Sequence, residues 1–275
     1  MTETLYQTDY LEWPDFIESF EWQQGEHVSF IGPTGHGKTT MAGHLLQHPP
    51  VGALKPHSRH PYWRPLGQPK PEDTVEPRPF VVVFVNKRRD DVAEMFQQHG
   101  YRKIASWIDL RPCRRGEPCY DGVYMPRRLL WPPPGKMGKT SSQRRVFEHA
   151  IDRIAAEEGW TIYVDDAIYV VDQEMLRLRP EYRDSLYRLR SSGVTIVSGV
   201  QRPSGVPREL YSQVRHLFFW HTNDEADLDR IQGIGGLSGK KLRATIQQLQ
   251  FHEALYINTL TERMVRTQAP AQAPT

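Results

Sequence analysis

The sequence predicts an α/β fold with a mainly parallel central sheet flanked by helices, and three observations carry that expectation. Strand-like runs alternate with helix-periodic stretches along most of the chain. Phe80–Val85 is wholly apolar and largely β-branched, as a strand buried on both faces is, and Val194–Val200 reads as a second such strand. A glycine-rich turn then joins the strand signal His27–Ile31 to a helical stretch.

Taken in order, an acidic lead-in carrying Trp13, Phe16, Phe20 and Trp22 precedes the first strand. Thr39–His48 reads as a helix stopped by Pro49-Pro50. Residues 51–79 have no usable period, are punctuated by Pro, His and Arg, and read as a long loop. After the strand Phe80–Val85 come a short helix over Asp90–His99, a short strand near Tyr120–Tyr124 and the break Trp131–Gly135. Ser141–Glu158 is helical, with Val146, Ala150, Ile151 and Ile154 suitably spaced. Thr161–Val164 is a strand, Glu181–Ser191 a helix, and Val194–Val200 and Val214–Trp220 further strands. Glu225–Ile231 and Ser238–Gln248 make helices, and Ala254–Ile257 with Met264–Val265 suggests a closing hairpin. There is no internal repeat. The expected organisation is one domain over 1–266, with Pro/Arg-rich insertions at about 49–79 and 101–140 and a disordered tail over 267–275.

Composition supports an ordinary core with embellishments. Hydrophobic residues are 38% of the 275, but fifteen of the 22 prolines fall between Pro49 and Pro134. The apolar shortfall therefore marks insertions, not a weak core. No apolar run approaches the ~18 residues of a membrane-spanning helix. Met1–Phe30 has seven acids and no Lys or Arg, unlike a secretory or mitochondrial leader. Cys113 and Cys119 are too few for a disulfide scaffold, and as C-x5-C they lack the second pair a metal site would need. A cytoplasmic protein is expected. The net charge of +2 hides unlike regions: 101–145 holds eleven Lys/Arg against Asp109, Glu117 and Asp121.

The strongest chemical signal is Gly32-Pro33-Thr34-Gly35-His36-Gly37-Lys38-Thr39, a full G-x-x-x-x-G-K-[ST] with a strand before it and a helix after it. Such a loop turns successive backbone N–H groups inward on a phosphate, at the positive end of the following helix. Gly32 to Thr40 are the expected nucleotide-binding residues, with Lys38 reaching the β- and γ-phosphates and the Thr39 hydroxyl holding Mg²⁺. This is a nucleoside triphosphate site. Two look-alikes fail on context. Gly138-Lys139-Thr140 has no strand before it, and Gly233–Gly239 lies between two helical segments.

Phosphoryl transfer also needs an acidic element. Thr161-Ile-Tyr-Val-Asp165-Asp166 supplies an apolar strand ending in two carboxylates, Asp165 for Mg²⁺ and Asp166 to orient or deprotonate water. Gln201, at the tip of the strand Val194–Val200, can touch the γ-phosphate or the water.

These three elements, with Gln201-Arg202-Pro203-Ser204, together resemble the FtsK/HerA superfamily of P-loop motors. That group includes chromosome translocases, conjugative coupling proteins and viral genome-packaging ATPases. Leu186–Gly193, ahead of the Gln201 strand, also fits the family pattern; the likeness covers about 27–48 and 160–260. It implies a P-loop NTPase fold of the RecA-like (ASCE) type, ATP and Mg²⁺ as ligands, and a homo-oligomeric ring, expected to be a hexamer. It further implies an arginine supplied by a neighbour, with Arg183, Arg188, Arg190, Arg202 and Arg215 as candidates. Two residues depart from the pattern: His36 stands where Ser is usual, and Asp166 where Glu is usual, shortening the reach by one methylene.

With no membrane segment in view, the resemblance points to a viral genome-packaging ATPase acting on double-stranded DNA, in the host cytoplasm or with the virion. Arg111, Arg114, Arg115, Arg127, Arg128, Lys136, Lys139, Arg144 and Arg145, interleaved with Tyr120, Tyr124 and Trp131, suit nucleic acid or a merely solvated basic surface. Two alternatives stand beside the motor. One is an ATPase driving phage or secretion assembly on a protein partner, with capsid or assembly proteins as partners; the other is a slowly hydrolysing nucleotide-dependent switch, which the shorter Asp166 favours.

Overall fold

Runs of β-branched and aromatic residues form the strands of a computed structural model that describes residues 6–48, 50–51, 80–87, 91–107, 127–133, 140–232, 234 and 237–271. β1 (Asp9–Tyr10) and α1 (Trp13–Ser19) come first, then β2 (Val28–Ile31), α2 (Lys38–Leu45), β3 (Val81–Phe84) and α3 (Asp91–Gln98). β4 (Arg102–Ile104) and β5 (Arg127–Leu130) precede α4 (Ser141–Glu157), β6 (Thr161–Val164), α5 (Ala167–Val171) and α6 (Arg179–Arg188). β7 (Thr195–Val200), α7 (Glu209–Ser212), β8 (His216–Trp220), α8 (Glu225–Ile231) and α9 (Gly239–Gln247) lead to the hairpin β9 (Ala254–Asn258) and β10 (Met264–Thr267).

The strands form one sheet in the order β1-β10-β9-β8-β2-β7-β6-β3-β5-β4. From β8 to β4 every neighbouring pair is parallel, and β9 runs antiparallel to both β8 and β10. Alternate residues feed opposite faces, as a pleated strand requires. Val28 and Phe30 of β2, Tyr163 of β6 and Phe218 of β8 pack with α1, α2 and α3, including Phe16, Met41, Leu45 and Phe96. Ile162, Ile196 and Leu217 face the other way, against Phe147 and Ile154 of α4, Leu186 of α6 and Ile246 of α9. The aromatic lead-in is thus a working part of the core: Phe16 and Phe20 sit 5.3 and 5.4 Å, ring to ring, from Tyr256.

Two expectations change, and a third is not reached. The strand expected near Tyr120–Tyr124 lies outside the described residues; among the described residues the strand that pairs with β3 and β4 is β5, whose two arginines hid it. Arg128 is fully buried, its guanidinium 4.4 Å from the Trp107 ring and 4.6 Å from the Trp160 ring, so it is a core residue and not a nucleic-acid contact. Trp131 is also buried, its indole N–H donating to the Lys87 carbonyl at 2.8 Å, and offers no platform for bases. The tail does not begin at 267 either: Thr267 is a buried residue of β10, and Ala269 packs against the core. Cys113, Cys119, Arg111, Arg114, Arg115, Tyr120, Tyr124, Lys136 and Lys139 lie outside the described residues.

Candidate functional site

The three sequence motifs meet at the carboxyl ends of adjacent parallel strands, where α/β sheets offer their binding crevice. β2 lies between β8 and β7, and β7 lies between β2 and β6. The loop leaves β2 at Gly32, whose N–H donates to the Val200 carbonyl at 3.0 Å. A side chain there would come within 2.7 Å of Trp220 Cβ, so only glycine fits against β8. Gly35 and Gly37 turn the loop with φ of +81° and +95°, a left-handed backbone that costs glycine nothing. α2 then starts at Lys38, with its free amides facing the loop.

Lys38 is 7% exposed, and its ammonium donates to the Pro33 carbonyl at 2.7 Å. Burial lowers its pKa to about 8, against the pull of Asp165 and Asp166, and Lys87 pushes the same way as burial. Thr39 Oγ1 donates to Asp165 Oδ1 at 2.7 Å, and Tyr163 donates its hydroxyl to the same oxygen at 2.7 Å. Asp165 is carried close to β7 because position 199 is glycine: any Cβ there would collide with the Asp165 carbonyl. Gln201, at the end of β7, accepts from Thr34 Oγ1 at 3.1 Å and donates from Nε2 to Asp166 Oδ2 at 3.5 Å. It spans from the loop to the second carboxylate.

Asp166 is raised above the ordinary carboxylate range. Burial is the main cause and Asp165 adds to it, while Lys87 opposes. Its Oδ1 is buried with no hydrogen-bond partner among the described residues, the state of a carboxylate oxygen that has work for a ligand or water. A hydroxyl and a carboxylate 2.7 Å apart fit a small divalent cation that takes its remaining ligands from phosphate and water. Among the described residues, no cluster of three His, Cys, Asp or Glu offers an alternative metal site.

Two contributors carry no role in the motifs as the sequence presents them. Lys87, just past β3, lies 3.7 Å from Asp165 Oδ2, its backbone held by Trp131. Its signal was available: a cation two residues past the wholly apolar run Phe80–Val85, at the strand end where functional side chains gather. Tyr163 was hidden as one more large residue of a buried strand.

The candidate trans arginines lie elsewhere. Arg188 pairs with Asp184 at 3.0 Å, Arg215 with Glu26 at 3.3 Å and Arg183 with Glu209 at 2.6 Å. Arg202 pairs with Asp224 and, at 3.6 Å, with Asp227. Arg190 makes no ion pair among the described residues; it lines a cleft with Glu26, His27 and Arg215 at the amino ends of β7 and β8, away from Lys38.

No family model and no curated protein matches the chain. Solved structures do. The genome-packaging NTPase B204 of Sulfolobus turreted icosahedral virus 2, in complex with sulfate, superposes with a TM-score of 0.57 at 12% identity, over 91% of this chain and 99% of that one. B204, the DNA-packaging ATPase from Sulfolobus turreted icosahedral virus, gives 0.58 at 12%, over 90% and 99%. The virus 2 NTPase in complex with AMPPCP gives 0.55 at 13%, over 89% and 98%. What these similarities establish is the fold: a P-loop NTPase fold built on one mainly parallel sheet.

Proposed function

We propose that this chain is a motor ATPase of the FtsK/HerA type, which hydrolyses ATP with Mg²⁺ to move double-stranded DNA, in the packaging of a viral genome. The observation that carries the reading is the meeting of Thr34, Gln201 and Asp166 in one hydrogen-bonded line beside the Thr39–Asp165 pair. The likeness in fold to B204, the DNA-packaging ATPase, supports the role over the alternatives. Absence of any described helix long and apolar enough to cross a membrane suits a chain that works in the host cytoplasm or on the virion.

In this reading the loop amides and Lys38 hold the phosphates, and Thr39 with Asp165 would hold Mg²⁺. The metal, when bound, supplies charge neutralisation at the β- and γ-phosphates. Asp166 takes a proton from water as the water oxygen bonds to the γ-phosphorus; the bond to the β–γ bridging oxygen breaks, and its electron pair leaves on ADP. Burial raises the basicity of Asp166, which suits it to that proton. Gln201 holds Asp166 to the loop and so reports the γ-phosphate to β7. An arginine from a neighbour in the ring would complete the site; of the candidates, Arg190 makes no ion pair among the described residues, while Arg183, Arg188, Arg202 and Arg215 each have one. Closure of each subunit interface would then move the ring, expected to be hexameric, against DNA.

ATP turnover with and without double-stranded DNA, in wild type and Lys38→Ala, tests the reading. Stimulation by DNA and loss of turnover in the variant are expected. Turnover indifferent to DNA, with no oligomer in any nucleotide state, overturns the motor; stimulation by a capsid or assembly protein instead would assign the ATPase to that partner.

A further inference from the structure

We propose that Tyr163 is a positioning residue of the site: its hydroxyl holds the Asp165 carboxylate on Thr39 and off Lys87, so that the pair stands ready for a divalent cation. This rests on the triphosphate reading above and adds to it a residue to which the motifs give no role. Tyr163 Oη and Thr39 Oγ1 both donate to Asp165 Oδ1 at 2.7 Å, and Lys87 Nζ stands 3.7 Å from Asp165 Oδ2. One carboxylate is therefore contested, by two hydroxyls on one oxygen and a cation beside the other.

The strand puts the hydroxyl there. Successive side chains of β6 alternate between faces, so Tyr163 and Asp165 share one. Tyr163 is 1% exposed and packs in the layer that holds Met41 and Phe96, with its ring 5.7 Å from that of Phe96. Packing alone calls for no hydroxyl at this position, since its partners in register on the two neighbouring strands are Val83 and Val197. Burial of a hydroxyl is costly, and a bond to a carboxylate, among the stronger hydrogen bonds, offsets that cost.

What Tyr163 restrains is the last freedom that Asp165 has. The backbone of Asp165 is fixed against β7 by Gly199, where any Cβ would collide with the Asp165 carbonyl. Its carboxylate can still turn about the Cβ–Cγ bond, a torsion with broad wells, and Lys87 is held within reach. The Lys87 carbonyl accepts from Trp131 Nε1 at 2.8 Å and the Asn86 carbonyl from Gln143 Nε2 at 3.3 Å, so the backbone that carries the cation is pinned at both residues. Without the Tyr163 hydroxyl the carboxylate turns toward Lys87. Thr39 then loses the acceptor that takes its proton and leaves its lone pairs for a cation.

The two neighbours of Asp165 thus pull in opposite senses. Tyr163 keeps Oδ1 with Thr39, whereas Lys87 draws Oδ2 outward, its side chain 46% exposed against 17% for Asp165. Removal of the hydroxyl weakens the hold on a cation, and removal of the ammonium relieves that loss. A tyrosine that merely filled the layer would act on stability alone and would not couple to Lys87.

Mn²⁺, followed by electron paramagnetic resonance in the presence of AMPPCP, probes the cation. AMPPCP titrated calorimetrically in EDTA reports the phosphate loop by itself. The variants are Tyr163→Phe, which keeps the ring, Lys87→Met, and the two together. Tyr163→Phe is expected to weaken Mn²⁺ about tenfold and to leave AMPPCP in EDTA within about twofold of wild type. In the Lys87→Met background the same change is expected to weaken Mn²⁺ by less than about threefold. Unchanged Mn²⁺ affinity in Tyr163→Phe overturns the proposal. Equal losses of Mn²⁺ and of metal-free AMPPCP would mark a general loosening of the site and overturn it as well, and so would a tenfold loss that persists without Lys87. Wild type that binds AMPPCP but gains no Mn²⁺ affinity from it refutes the Thr39–Asp165 pair as a cation site, and the proposal with it. Wild type that binds no AMPPCP removes the triphosphate reading itself.

Discussion

Lys38 sits where its charge is uncomfortable until a phosphate arrives, and Lys38→Met turns that into a measurable trade. Burial holds the wild-type ammonium at about 8 against an ordinary 10.5. That gap corresponds to a cost of about 3 kcal/mol for keeping the charged form folded at pH 7. Methionine keeps the length of the side chain and removes the charge. It also leaves the half-buried Pro33 carbonyl without its 2.7 Å donor, a loss of about 1 kcal/mol. The ligand-free variant should therefore be more stable by about 2 kcal/mol, which raises Tm by about 4–8 °C. The sign with pH follows from the depressed value. Destabilisation by Lys38 is complete below pH 8, fades as the folded protein sheds the proton, and vanishes above 10.5. Circular dichroism melts at pH 7 and pH 10, without nucleotide, should show the advantage of the variant shrinking at the higher pH. Added Mg·ATP should raise Tm in wild type alone. A variant that melts below wild type at pH 7, or an advantage equally large at pH 10, would refute this account of the site.

Asp166→Asn should lower turnover by about 10²–10⁴-fold with little change in ATP affinity, and stopped assays with a binding titration separate the two. Asp166→Glu, run alongside, should raise turnover strongly if slow hydrolysis is built into the shorter side chain. Lys87→Met removes the cation that opposes the upward shift of Asp166, so the acid limb of the kcat profile should move to higher pH. An unmoved limb would remove Lys87 from the site. Gly199→Ala forces a methyl group into the Asp165 carbonyl, so β6 and β7 must separate. Urea melts should show a loss of about 3 kcal/mol; a wild-type midpoint would contradict the close approach.

Much of the site was legible because its parts are local. Gly35 and Gly37 answer a backbone demand within one turn, and the apolar run Thr161–Val164 announces both a buried strand and the carboxylates at its end. The alternation of strands and helices likewise reports the parallel sheet, since each strand buried on both faces must be apolar along its length. Arg127 and Arg128 broke that rule, and with it the visibility of β5. The reason is that Trp107 and Trp160, 21 and 32 residues away in sequence from Arg128, supply the ring faces that make a buried guanidinium tolerable.

What the sequence by itself determined, then, is a phosphate-binding turn, two carboxylates at a strand end and a glutamine at another, each set by the conformational needs of its own segment. Tertiary structure alone decided that β7 lies between β2 and β6, and so that Gln201 reaches both Thr34 and Asp166. It also decided that Lys87 faces Asp165, and that Thr39 and Tyr163 meet on one of its oxygens. The physical reason is the same in each case. Periodicity and turn chemistry describe which way a segment's own side chains point, whereas the neighbours they meet follow from strand order, which is set by burial summed over the whole chain.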